Sequence, residues 1–177
     1  MAKKRRAQTR IKLDDIKGFF REFGDESDRA AAILGATYLD ECLRELIANF
    51  LVDNSTEVDK LLGGPLQFFG SRIRASYCMG LISEDEYDDL KIIRDVRNDF
   101  AHDLHGLSFS TPSVIKQCSA LQLPRKAPRW PDPTAAGRDP FMVSVALLSF
   151  QLKLRILKQK RQRRVIPSGF EVVETVD

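Results

Sequence analysis

The sequence predicts an all-α fold: a helical bundle of about six or seven helices, with long central helices, a basic N-terminal arm and a basic C-terminal helix. Three observations predict it. Apolar residues recur at three- and four-residue spacing along most of the 177 residues. No good run of alternating β-branched residues occurs before the tail. Capping residues, glycines and prolines stand where helices would start and stop. The composition, 43% hydrophobic and 30% charged, is that of a globular chain rather than a disordered one. The expected division is an arm over 1–12, one helical domain over 13–164 and a flexible tail over 165–177.

Each element has its own justification. Leu13, Ile16, Phe19, Phe20 and Phe23 mark a short helix over 13–23, broken by Gly24-Asp25. A long helix should start near Ser27 or Asp28 and run to about Val52. Its buried stripe would be Ile33, Ala36, Leu39, Leu43, Leu46, Ile47 and Phe50. Asn54-Ser55 caps a short helix that ends at Gly63-Gly64-Pro65. A helix from about Leu66 to Met79 is stopped by Gly80 just past its end. Ser83 and Glu86 form a capping box for a helix reaching His102. Ser110-Thr111-Pro112 opens a helix to about Leu121. Five prolines make 122–140 a proline-rich loop, and Asp139-Pro140 starts a last helix, apolar through Phe150 and basic from Lys153.

The net charge of +3 is unevenly spread. Residues 1–12 carry six positive charges and residues 151–164 carry seven, with no negative charge in either stretch, while 13–150 has a net charge of −7. Basic ends on an acidic body suit a polyanion, or else serve as solvated tails. The cations nominated for nucleic acid are Lys3, Lys4, Arg5, Arg6, Arg94, Arg155, Lys158, Lys160, Arg161, Arg163 and Arg164.

No apolar run approaches the roughly 18–20 residues needed to cross a bilayer, so no membrane contact is expected. The basic start lacks the apolar segment of a secretory signal. Cys42, Cys78 and Cys118 lie far apart, which argues against a disulfide framework and suits a reducing, cytoplasmic setting. His102-Asp103-Leu104-His105 lacks a third strong ligand, so neither a metal nor another cofactor is expected. Phosphate-loop, dinucleotide-binding and nucleophile-elbow motifs are missing. Glu84, Asp85, Glu86, Asp88 and Asp89 read as a solvated acidic helix start favoured by the helix dipole. Trp130, among Arg125, Lys126 and Arg129, suits loop packing better than base stacking.

Chemistry concentrates in residues 92–103. At roughly 100° per residue, Phe100, Ile93, Val96 and Ile92 form a core face. Arg94, Asn98 and His102 form an opposite polar stripe with Arg97 at its edge. An arginine fork binds phosphate oxygens and an imidazole moves protons near neutral pH, a set that suits phosphodiesters. On spacing alone the plainer reading is that Arg97 pairs with Asp95 or Asp99 and His102 caps the helix end.

Arg97-Asn98-Asp99-Phe100-Ala101-His102 resembles the R-x4-6-H signature of HEPN domains. That resemblance implies a small helical bundle, often dimeric, and a metal-independent endoribonuclease of toxin or antiphage type. Arg97 and His102 would be catalytic, with Asn98 in support. A longer stretch resembles the mannitol operon repressor (MtlR-like) family. It comprises Gly64-Pro65-Leu66, Arg72, Arg74, Tyr77, Gly80-Leu81-Ile82, Glu86-Tyr87 and Arg97 through Asp103. This second resemblance implies an all-helical regulator of repressor type, acting through a protein or nucleic-acid partner. It lacks a recognisable helix-turn-helix. A homodimer is expected, with the regulator as the first reading and the ribonuclease as the alternative.

Overall fold

Seven helices, and no strand among the described residues, make up the computed structural model, which describes Phe23 and residues 25–103, 106–126, 137–159 and 163–167. In chain order they are α1 (Asp28–Phe50), α2 (Ser55–Gly63), α3 (Phe69–Cys78), α4 (Glu84–His102), α5 (Pro112–Cys118), α6 (Leu123–Lys126) and α7 (Arg138–Gln159). The all-α expectation is borne out. Several expectations lie outside the described residues: the basic arm with Lys3, Lys4, Arg5 and Arg6, the helix over 13–23 apart from Phe23, and His105, Trp130, Lys160 and Arg161.

Local signals account for most boundaries. The Ser27 hydroxyl accepts from Ala30 N and starts α1. The Asn54 side chain accepts from Glu57 N and starts α2. At the end of α3, Gly80 N–H donates to the Tyr77 carbonyl and Leu81 N–H to the Ser76 carbonyl, both at 2.9 Å, with Gly80 at φ +68°. This paired closure satisfies the last carbonyls of the helix and needs a left-handed residue, which glycine supplies. Ser83 and Glu86 make both bonds of the capping box on α4.

Three boundaries are corrected. The helix expected from Leu66 starts at Phe69, because the Leu66 and Gln67 amides close a turn back onto Leu61 and Gly64. Helix α5 stops at Cys118 rather than near Leu121, and the Thr111 hydroxyl accepts from Ser108 N instead of capping it. The proline-rich loop opens with one helical turn, α6.

Helices α1 and α7 pack side by side and run in the same direction: Arg138 bonds Asp28 at their starts (2.9 Å), and Lys153 bonds Glu45 further along (3.2 Å). Helix α4 runs against both and closes the core with Leu90, Ile93, Val96 and Phe100. Ala36, Leu39, Leu43, Leu46 and Ile47 of α1 are buried as their spacing predicts, while Ile33 and Phe50 are half-buried.

Helix α7 overturns one expectation. Its 22 residues reach a mean hydropathy of 1.4 over an 18-residue window, long and apolar enough to cross a membrane by length and composition. Phe141, Val145, Leu148, Leu152 and Ile156 of that window are buried in the bundle core.

Candidate functional site

The end of α4 carries the stripe that the sequence singled out. Arg97 is half-buried and donates to Asn98 Oδ1 at 3.0 Å. Asp99 accepts from Gln117 Nε2 at 2.8 Å, which ties α4 to α5. His102 is exposed at the last helical position. The Arg29 guanidinium donates to the carbonyl of Asp103, so the start of α1 holds the end of α4 in place. Arg94 pairs with its neighbour Asp95, with Nη2 to Oδ1 at 2.7 Å. The stripe therefore exists, but Arg97 and His102 leave the helix about 140° apart at roughly 100° per residue.

Arg97 belongs to a second cluster. Asp40 of α1 is bonded by Arg72 Nη1 at 2.7 Å and also lies in the field of Arg97. Burial pushes the Asp40 carboxyl above its ordinary range, and the two arginines only partly offset this. The Arg72 side chain is nearly buried, and its other nitrogens reach the carbonyls of Leu66 (2.8 Å) and Leu62 (3.5 Å). One guanidinium thus satisfies the end of α2, the turn after it and a carboxylate of α1. A planar fork of five donors suits this task where an ammonium would not.

Two carboxylates were read wrongly as solvent-facing. Asp89 is fully buried. Its oxygens accept from the amides of Gln122 (2.7 Å) and Leu123 (3.1 Å) and from the Ser144 hydroxyl (2.6 Å). It anchors α6 and α7 onto α4, and burial pushes its carboxyl up. Glu86 is also buried; besides its capping-box bond it takes Arg155 at 2.5 Å. The helical wheel held the signal: Asp89 falls between Phe100 and Val96 on the core face of α4.

Residues 28–175 match the family described as mannitol repressor. The chain belongs to the mannitol repressor family. No curated protein and no solved structure matches it.

In this member of the mannitol repressor family the residues that carried the longer resemblance serve different tasks. Arg72, Gly80, Leu81, Ile82 and Glu86 serve the fold, as the bonds above and the burial of Leu81 and Ile82 show. Arg74, Tyr77 and Tyr87 instead lie on an outer face where α3 and α4 run antiparallel. Tyr77 stacks on Tyr87 with ring centres 4.5 Å apart, and Lys91 Nζ lies 4.9 Å from the Tyr87 ring centre. At the other end Arg94 lies across Gly70, where a Cβ would come within 3.0 Å of the guanidinium. Arg74 is exposed between them, and Phe68 at the head of α3 is 69% exposed. Sequence reasoning missed this face because it forms only when the two helices are laid side by side.

The nominated cations fare differently from one another. Arg155 is held by Glu86 and Arg163 by Asp53, each at 2.5 Å. Arg164 lies over the Phe50 ring, and its amide donates to the Phe50 carbonyl. Lys158 is exposed near the end of α7. Among the described residues no group of three metal-ligating side chains forms.

Proposed function

We propose that this mannitol repressor family protein represses transcription by docking a protein partner on its α3–α4 face. The observation that carries the reading is the character of that face. Its cations Lys91 and Arg94 each have an adjacent carboxylate, Asp88 and Asp95, and Phe68 at the head of α3 is exposed to solvent. A charge-balanced surface with an exposed aromatic side chain suits protein contact, where aromatic and arginine residues carry most of the binding. A polyanion calls instead for a run of cations free to displace counterions. Of the nominated cations, Arg94, Arg155 and Arg163 are already paired.

The test is a mannitol-operon reporter in a host lacking its own repressor. The parent represses it, and Phe68→Asp with Arg74→Glu releases it while the melting temperature stays put. Purified protein shows only weak binding to the operon duplex. Tight binding that falls steeply with salt would overturn the protein-partner reading in favour of nucleic acid. Cleavage of RNA in EDTA, with 2′,3′-cyclic phosphate ends and loss in Arg97→Ala and His102→Ala, would replace it with the HEPN-type ribonuclease.

A further inference from the structure

Helix α7 has a second apolar face, on the side opposite its buried one. Val143, Leu147, Phe150, Leu154 and Leu157 follow one another at spacings of four, three, four and three residues. That is the repeat of a two-helix seam. The buried residues Phe141, Val145, Leu148, Leu152 and Ile156 occupy the other side. The second face is open in its second half, with Phe150 44% exposed, Leu154 39% and Leu157 60%, while Val143 and Leu147 are half-buried. Tyr38 of α1 flanks it through Lys153, which lies 5.5 Å from the Tyr38 ring centre, and exposed Leu34 stands one turn before Tyr38.

We propose that a second copy of this chain covers this face, with the two α7 helices antiparallel and crossing near Phe150. Two properties of the stripe select that occupant. The first is its symmetry about Phe150. Val143 and Leu157 each lie seven residues from it, and Leu147 and Leu154 lie three and four away. A two-fold interface presents one patch to itself, so a patch that reads alike in both directions is self-complementary. The second property is charge. The stripe begins at exposed Asp139, four residues before Val143, and exposed Lys158 stands at its other end. A parallel pair would set Lys158 against Lys158 and Asp139 against Asp139. The antiparallel pair sets each lysine end beside an aspartate end, and opposite charges at the flanks choose orientation in helix pairs.

The register is steep in its consequences. Near the crossing the two copies of residue 150 are neighbours. The two copies of residue 157 lie about 20 Å apart, since seven residues on each helix rise about 1.5 Å each. The parent should elute with twice the mass of its 20.1 kDa chain by light scattering. Phe150→Asp with Leu154→Asp should elute as a folded monomer, its helical circular dichroism unchanged. In a Cys78→Ser background, Phe150→Cys should oxidise rapidly to a linked dimer and Leu157→Cys should not.

A monomeric parent overturns the proposal. So does a dimer that the double aspartate variant leaves intact. Equal self-linking at both positions would show a parallel pair and overturn the antiparallel one. A monomer that dimerises only when residues 1–22 are removed would give the face to the chain's own N-terminal segment, and that also overturns it.

Discussion

Asp89 shows how a single charge can be read backwards from composition. Its neighbours Glu84, Asp85 and Asp88 make the segment look like a solvated helix start, yet its place on the wheel is the core face. The carboxylate accepts three hydrogen bonds, two of them from backbone amides that α6 would otherwise leave unpaired. Asp89→Asn replaces one acceptor oxygen with a donor facing those amides. The expected cost is about 1–3 kcal/mol, that of a buried donor left unsatisfied.

The pH dependence has a definite sign. Burial holds the Asp89 carboxyl above its ordinary 3.8, so the folded chain keeps this proton to higher pH than the unfolded chain does. Its contribution to stability therefore falls as pH rises from 3.8 through the folded value, and is level above that. The asparagine lacks this dependence, so Asp89→Asn should cost more near pH 4 than at pH 7. Urea unfolding of both proteins at the two values checks this, and a larger cost at pH 7 would contradict it. Gly137 is a second such residue, at φ +71°, where a Cβ would overlap the Phe109 carbonyl. Gly137→Ala should cost more than about 2 kcal/mol, read by the same melts, because the left-handed backbone and the backbone clash add. Nothing local announces Gly137, since Phe109 is its neighbour only in the folded chain.

Helices α1, α2 and α4 were legible because their signals are local: a polar cap, a three-four apolar period and a stop. Helix α3 was legible at its end, where Gly80 is required, and not at its start, where Phe68 provides no side-chain cap. Helix α7 was legible as a helix, whereas the pairing of its cations was not, because counting them cannot tell a free charge from a paired one. Arg155 and Lys126 make the contrast measurable. Arg155 pairs with Glu86, whose side chain is 4% exposed, whereas Lys126 and Asp85 are both largely in solvent. Arg155→Ala leaves a nearly buried carboxylate short of its counter-ion. It should cost about 1–3 kcal/mol, less than a fully buried pair because Arg155 itself is partly in water. Lys126→Ala should cost no more than about 0.5 kcal/mol, the ordinary worth of an exposed pair. Urea melts of the two variants side by side check the difference, and equal costs would contradict the assignment of Glu86 to the core.

At the scale of the whole molecule the contacts that matter join residues far apart in sequence, such as Asp28 with Arg138, and no periodicity encodes them. The sequence could propose an acidic body with basic ends; only the fold shows that α7 returns its cations to Glu45 and Glu86 of that body. The three cysteines test whether the result is one cooperative unit. Cys42 on α1 and Cys118 on α5 are buried in the same continuous core, and burial pushes their thiols up to about 11 and about 12, while Cys78 is exposed. A thiol must be accessible and ionised to react, so at pH 8 both buried groups are silent on two counts. One thiol per chain should therefore react at once with a colorimetric disulfide reagent, and three should react in strong denaturant. In a Cys78→Ser variant the remaining two should label slowly and at a single shared rate, because exposing either one requires opening the core that holds both. A faster rate at Cys118 would show that the seven-residue α5 opens on its own, and that the hydrogen bond from Gln117 to Asp99 does not bind it into the unit formed by α1, α4 and α7.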